Sequence, residues 1–257
     1  MRRLLAGTLL VLLALVGTAS ALRSVEDVKL QAGELIVEGH GGFRPEVLPK
    51  DHDAPITIEG GGKIFTVSGE LPPVLREINF EFDKHGSVDT TGLAVCHKGQ
   101  LLATDTTTAR RACGDAIVGT GTGKAVVKFP EQGPIPASSP ITLFNGPKKN
   151  GDDTILAHAY LSVPAPTTFI VPVVIEKIHN GRYGYRTQAT IPKIANGYGH
   201  PVSGSIRVGK KWTYKGKRHS YVNARCADGR LQATGEFAFA DGTRLSGTFL
   251  RGCKVAG

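Results

Sequence analysis

Three stretches of this 257-residue chain place chemistry-bearing residues at suggestive spacings. The first is Gly119-Thr-Gly121-Thr-Gly123-Lys124, alternating glycines ahead of a lysine. A phosphate-binding loop of the G-x-x-x-x-G-K-[ST] type needs backbone N–H groups around the phosphates, a lysine on the outer ones and a hydroxyl for magnesium. Here Val118 occupies the first glycine position and Ala125 the hydroxyl position. The dinucleotide pattern G-x-G-x-x-G fails as well, and Ala125 to Phe129 reads as a strand, not as a helix whose N-terminus could face phosphate. The expectation is a flexible turn leading into a strand.

The second stretch, Gly39 to Pro45, has the His-Gly-Gly order of an esterase oxyanion loop. Such a loop works with a G-x-S-x-G nucleophile elbow, and the nearest candidate, Pro-Val-Ser-Gly-Ser at 201–205, lacks the first glycine. This stretch too is expected to be a turn. Asp51-His52-Asp53 and Asn150-Gly-Asp152-Asp153 do not match the calcium-loop pattern and read as solvated turns. His40, His85, His97, His158 and His179 are scattered, and no carboxylate pair is nominated for glycoside hydrolysis. No cofactor or metal is expected.

The third stretch is the most informative. Between Lys177 and Ala227 there is no Asp or Glu, while eleven Lys and Arg residues fall there, so a chain of net charge +9 concentrates its excess in one segment. Five of the six tyrosines and the single tryptophan share it. Arg207, Lys210, Lys211, Trp212, Tyr214, Lys215, Lys217 and Arg218 form a candidate hairpin turning at Lys215-Gly216-Lys217, with Trp212 and Tyr214 on one face and Lys211, Thr213 and Lys215 on the other. Cationic groups bind phosphate or carboxylate, and aromatic faces stack on bases or sugars. The partners this chemistry suits are an anionic envelope polymer, an acidic glycan, a lipid headgroup or a nucleic acid. A lysine-protected edge hairpin whose aromatics pack inward satisfies the same pattern.

These residues must be carried by something, and the chain says what. Arg2 and Arg3, an apolar run from Leu4 to Val16 and Ala19-Ser20-Ala21 make a secretory signal over residues 1–21, with cleavage near Ala21 and a mature start at Leu22. No later segment approaches the ~18 apolar residues of a membrane span. Cys96, Cys113, Cys226 and Cys253 are an even set in an exported chain and read as two disulfides. Each local pair flanks a turning stretch, so the expected pairing is 96 with 113 and 226 with 253.

Strand signals dominate the rest. Ile78, Phe80 and Phe82 alternate with Glu77, Asn79 and Glu81, and Leu231, Ala233, Phe237 and Phe239 share a face ahead of an Asp241-Gly242 turn and a returning strand with Leu245 and Phe249. Many short strands with 33 Gly and 15 Pro between them, and one candidate helix at Thr106 to Ala116, predict an all-β fold: an antiparallel sandwich or open barrel. A soft boundary near Pro166 would divide an N-terminal β lobe, 22–165, from a basic, aromatic-rich C-terminal lobe, 166–257. One large domain crossing that point fits the pattern equally.

Ala109 to Gly121 together with Ala224 to Cys253 resembles uncharacterised exported proteins of high-GC Gram-positive bacteria. The resemblance implies a secreted β-rich domain in which both cysteine-bearing segments belong to the framework, and it implies no activity. The sequence therefore predicts an exported, disulfide-bonded binding or structural module of the cell envelope or exterior. The alternative is a secreted hydrolase whose site is assembled across strands.

Overall fold

The computed structural model describes residues 27–256, so the expected signal and the Leu22 start lie outside the described residues. In chain order the first strands are β1 (Asp27–Ala32), β2 (Leu35–Arg44), β3 (Val47–Leu48), β4 (Ala54–Pro55), β5 (Thr57–Thr66), β6 (Leu75–Asp83) and β7 (Gly86–Val88). After two short helices, α1 (Lys98–Leu101) and α2 (Thr106–Cys113), come β8 (Ile117–Val127), β9 (Ile135–Lys149), β10 (Asp152–Leu161), β11 (Thr167–Asn180), β12 (Tyr183–Thr190) and β13 (Gly199–Val208). The chain closes with β14 (Lys211–Tyr214), β15 (Lys217–Ser220), β16 (Val222–Ala224), β17 (Arg230–Phe239), β18 (Arg244–Gly252) and β19 (Lys254–Val255).

Twelve strands form one antiparallel sheet in the order β1-β2-β5-β13-β8-β9-β10-β11-β12-β6-β17-β18. The sheet curls until β1 lies beside β18, with Val28 and Leu30 against Gly247, so the all-β expectation is met as a nearly closed barrel. Strand alternation decides which residues fill it. Phe80 packs on Phe82, Phe237 and Phe249 inside, at ring separations of 5.9, 6.0 and 6.5 Å. The intervening residues lace the outside: Glu81 binds Arg186 at 2.7 Å, and Glu77 accepts from Gln188 at 2.7 Å.

The two glycine runs expected to be turns are strands. Gly39 to Gly42 lie within β2, and Gly119 to Gly123 lie within β8, paired on one side with β9 and on the other with β13. Close approach of the neighbouring strand accounts for Gly119 and Gly121 in the second run. A Cβ on Gly121 would fall 2.1 Å from the Ser205 carbonyl oxygen, which no side chain tolerates. The phosphate loop is absent because this backbone is spent on sheet ladders.

Pro166 lies in the connection between β10 and β11, which are neighbours in the sheet. Strands from both sides of that point alternate around the barrel: β13 lies between β5 and β8, and β6 between β12 and β17. One end of the barrel is filled by Leu35, Val37, Ile64, Leu75, Phe239 and Leu245. The other is closed by the small sheet β4-β16-β7, which buries Tyr221 and Val222 against Phe43, Val118, Leu143, Ile175 and Val208.

Helix α2 falls where the sequence predicted it, started by Asp105, whose carboxylate accepts from the Thr108 N–H at 2.7 Å. It covers the outer face of β9 and β10, burying Phe144 and Leu156 with Leu101 and Ala109. Both disulfides form as expected, Cys96–Cys113 and Cys226–Cys253. The first ties the helical cap together; the second joins the segment after β16 to the end of β18. Among the described residues, no helix is long and apolar enough to cross a membrane.

Candidate functional site

The basic hairpin exists, and its turn is tighter than the sequence suggested. β14 and β15 pair Lys211 with Ser220, Trp212 with His219, Thr213 with Arg218 and Tyr214 with Lys217. Lys215 and Gly216, at φ 48° and 75°, make the two-residue turn, as twisted hairpins prefer. Lys217 therefore stands on the aromatic face opposite Tyr214, and Lys215 occupies the turn, with its ammonium 5.3 Å from the Tyr214 ring centroid.

The aromatic face lies on the Asp89–Leu93 segment. The Trp212 indole N–H donates to the Thr91 carbonyl at 3.0 Å, and its ring stacks on His219 with centroids 5.4 Å apart. Tyr214 covers Gly92, where a Cβ would fall 2.2 Å from the ring. His219 Nδ1 donates to Asp89 at 2.7 Å, and Asp89 also accepts from the Thr91 N–H at 2.8 Å. Burial raises the Asp89 carboxyl, but the hydrogen bonds from His219 and Thr91 outweigh it and hold the group below its ordinary value. Through these contacts the aromatic side chains hold the hairpin down against the body of the protein.

The eight predicted binding residues thus separate into groups. Arg207 projects from β13 toward Glu59, 3.3 Å away, outside the hairpin. Lys210 donates to the Asp115 carbonyl, tying the hairpin's base to the segment after α2. Trp212 and Tyr214 anchor the hairpin. Lys211, Lys215, Lys217 and Arg218 remain, all exposed and, among the described residues, without an ion-pair partner. Beside the hairpin's base, Val95, Gln100, Arg111 and Asp115 line a shallow cavity of 340 Å³, which adds the Arg111 guanidinium to the same region.

Sequence reasoning missed the anchoring set of Asp89, Thr91, Gly92 and His219. No local signal marks it, since His219 and Asp89 stand 130 positions apart. Among the described residues, no group of three or more His, Cys, Asp or Glu is placed to hold a metal ion. No protein-family model, no curated protein and no solved structure matches the chain.

Proposed function

We propose that this chain is an exported binding module whose β14–β15 hairpin engages an anionic polymer of the cell envelope or exterior. The observation that carries the reading is the concentration of Lys211, Lys215, Lys217 and Arg218 on one exposed hairpin that is itself pinned through Trp212 and His219. A rigid base lowers the entropy cost of presenting charge. Export is supported by the basic–apolar–small-residue start, by the resemblance to exported proteins and by two disulfides, which persist in oxidising compartments.

The hairpin's rings are engaged with the protein, so base stacking has little to work with and repeated phosphate or carboxylate groups are the favoured ligand chemistry. The test is retention on heparin across a salt series for wild type and for Lys211→Gln/Lys215→Gln/Lys217→Gln/Arg218→Gln. Wild type binds at low salt, and the variant's salt slope falls by roughly one unit per contact removed. Equal binding by the two proteins, or none by wild type, overturns the proposal. A marked preference for single-stranded DNA over heparin would redirect it to nucleic acid.

A further inference from the structure

We infer that the outer face of β2, β5, β13 and β8 carries a second, separate site for a sugar-sized ligand bearing a phosphate. A cavity of 630 Å³ opens there, lined by Lys63, Lys124, Ser203, Ser205, Thr122 and His40, and on the β1–β2 side by Lys29 with the acidic Asp27 and Glu38. That volume falls within the range of small-molecule sites and exceeds what a bare phosphate needs.

Register aligns the lining residues in two rows. In the first, Lys63 on β5 pairs with Ser203 on β13, which pairs with Lys124 on β8. The lysines are thus two strands apart, about 10 Å at the backbone. Their long stems can bring both ammonium groups over the Ser203 hydroxyl. In the second row, two residues along, Gly61 pairs with Ser205 and Ser205 with Thr122. The Ser205 and Thr122 hydroxyls lie 2.9 Å apart. Two ammonium groups and three hydroxyls on one patch supply the donors a phosphate accepts, with lysine acting as a point charge.

Three lysines, Lys29, Lys63 and Lys124, share this lining with two carboxylates, Asp27 and Glu38, so a net positive charge remains. Among the described residues, Lys63 and Lys124 have no ion-pair partner, whereas Glu38, across from Lys63, is bound by Lys29 at 3.4 Å. At the far side the His40 ring lies over Gly61, where a Cβ would come within 3.0 Å of it. The absence of a side chain at position 61 therefore leaves room for the imidazole, which forms one wall. The groove is concave and hydroxyl-lined, and it does not depend on the hairpin's function.

Titration calorimetry with glucose 6-phosphate, inorganic phosphate and glucose tests this on the whole mature chain, with amide shifts at Gly62, Gly204 and Ser205 locating the site. Glucose 6-phosphate binds saturably, inorganic phosphate at least about tenfold more weakly, and glucose without measurable heat. Lys63→Ala/Lys124→Ala loses at least about tenfold in affinity with an unchanged melting temperature, since both side chains are exposed. Ser205→Ala gives a smaller loss, and the four-residue hairpin variant binds as wild type does. Absence of saturable glucose 6-phosphate binding up to about 10 mM overturns the proposal. So does undiminished binding by the lysine variant, equal affinity for bare phosphate, or loss of binding in the hairpin variant, which would locate capture at the hairpin instead.

Discussion

Nδ1 of His219 donates to a carboxylate oxygen of Asp89 at 2.7 Å, and the same imidazole stacks on Trp212. One ring therefore links the hairpin's only tryptophan to a loop from the other half of the chain. The expected outcome of Asp89→Asn is a loss of about 1–2 kcal/mol in urea unfolding, since the pair is partly exposed and only one charge-assisted bond is weakened. The Asp89 carboxyl is held below its ordinary value of 3.8 in the folded protein. Its contribution is thus complete above that value and disappears as pH falls through the lower, folded one. Faster tryptic cleavage after Lys211, Lys215, Lys217 or Arg218 in the variant would show that the hairpin itself is released. Unchanged stability would show that Trp212, Tyr214 and Lys210 hold it without the His219–Asp89 bond.

Gly121 and Gly123 look alike in the sequence and differ in the fold. A Cβ on Gly121 meets the Ser205 carbonyl at 2.1 Å, whereas one on Gly123 meets only the end of the Ile141 side chain at 3.4 Å. Gly121→Ala is expected to cost about 2–3 kcal/mol through overpacking against backbone. Gly123→Ala is expected to stay within about 1 kcal/mol, because the ordinary contact is offset by reduced freedom of the unfolded chain. Chemical denaturation of the two single variants side by side gives the answer, and equal losses would mean that the strand crossing is looser than described.

His158 is sealed under the helical cap with no exposed surface. Its Nε2 lies 3.1 Å from both the hydroxyl and the carbonyl of Thr104, and its Nδ1 has no hydrogen-bond partner among the described residues. Burial lowers its pKa from the ordinary 6.5, against a smaller opposing pull from the Thr104 bond and Asp105. The unfolded chain therefore binds the proton first as pH drops. Stability is complete above about pH 6.5 and declines below it, by at most about 1.4 kcal/mol per pH unit, until the folded-state pKa is reached. His158→Leu removes the titrating group, so the difference in unfolding free energy between pH 7.5 and pH 5.5 should shrink relative to wild type. An identical pH profile in the two proteins would assign the decline to other groups.

The strands were legible because their alternation survives in the sequence: Ile78, Phe80 and Phe82 face inward, as their spacing requires. The disulfide pairing was legible too, since each pair closes over a turning stretch. The glycine-rich runs were misleading for a physical reason. Glycine marks both turns and places where two backbones nearly touch, and only the partner strand, β13 against Gly121, distinguishes the two. The groove was invisible for the same reason, because Lys63, Ser203 and Lys124 become neighbours only through ladder register. The hairpin's charge was plain, but its aromatic face could be assigned to the protein and not to a ligand only once Thr91 and Gly92 lay beneath it.

The order of strands around the barrel also sets the order in which the molecule can be built. β5 and β8 each rest on β13, and β6 rests on β12 and β17, so none of the three has its full set of partners until the C-terminal third has been synthesised. A nascent chain must carry these open edges, with their unpaired backbone groups, until β13 ends at Val208 for β5 and β8 and until β17 ends at Phe239 for β6. Contacts between distant positions slow folding, because the ends of long loops must meet before anything is gained. The barrel therefore closes only after synthesis is nearly complete, and until then the free edges of β5 and β6 are where a half-made chain would pair with another copy.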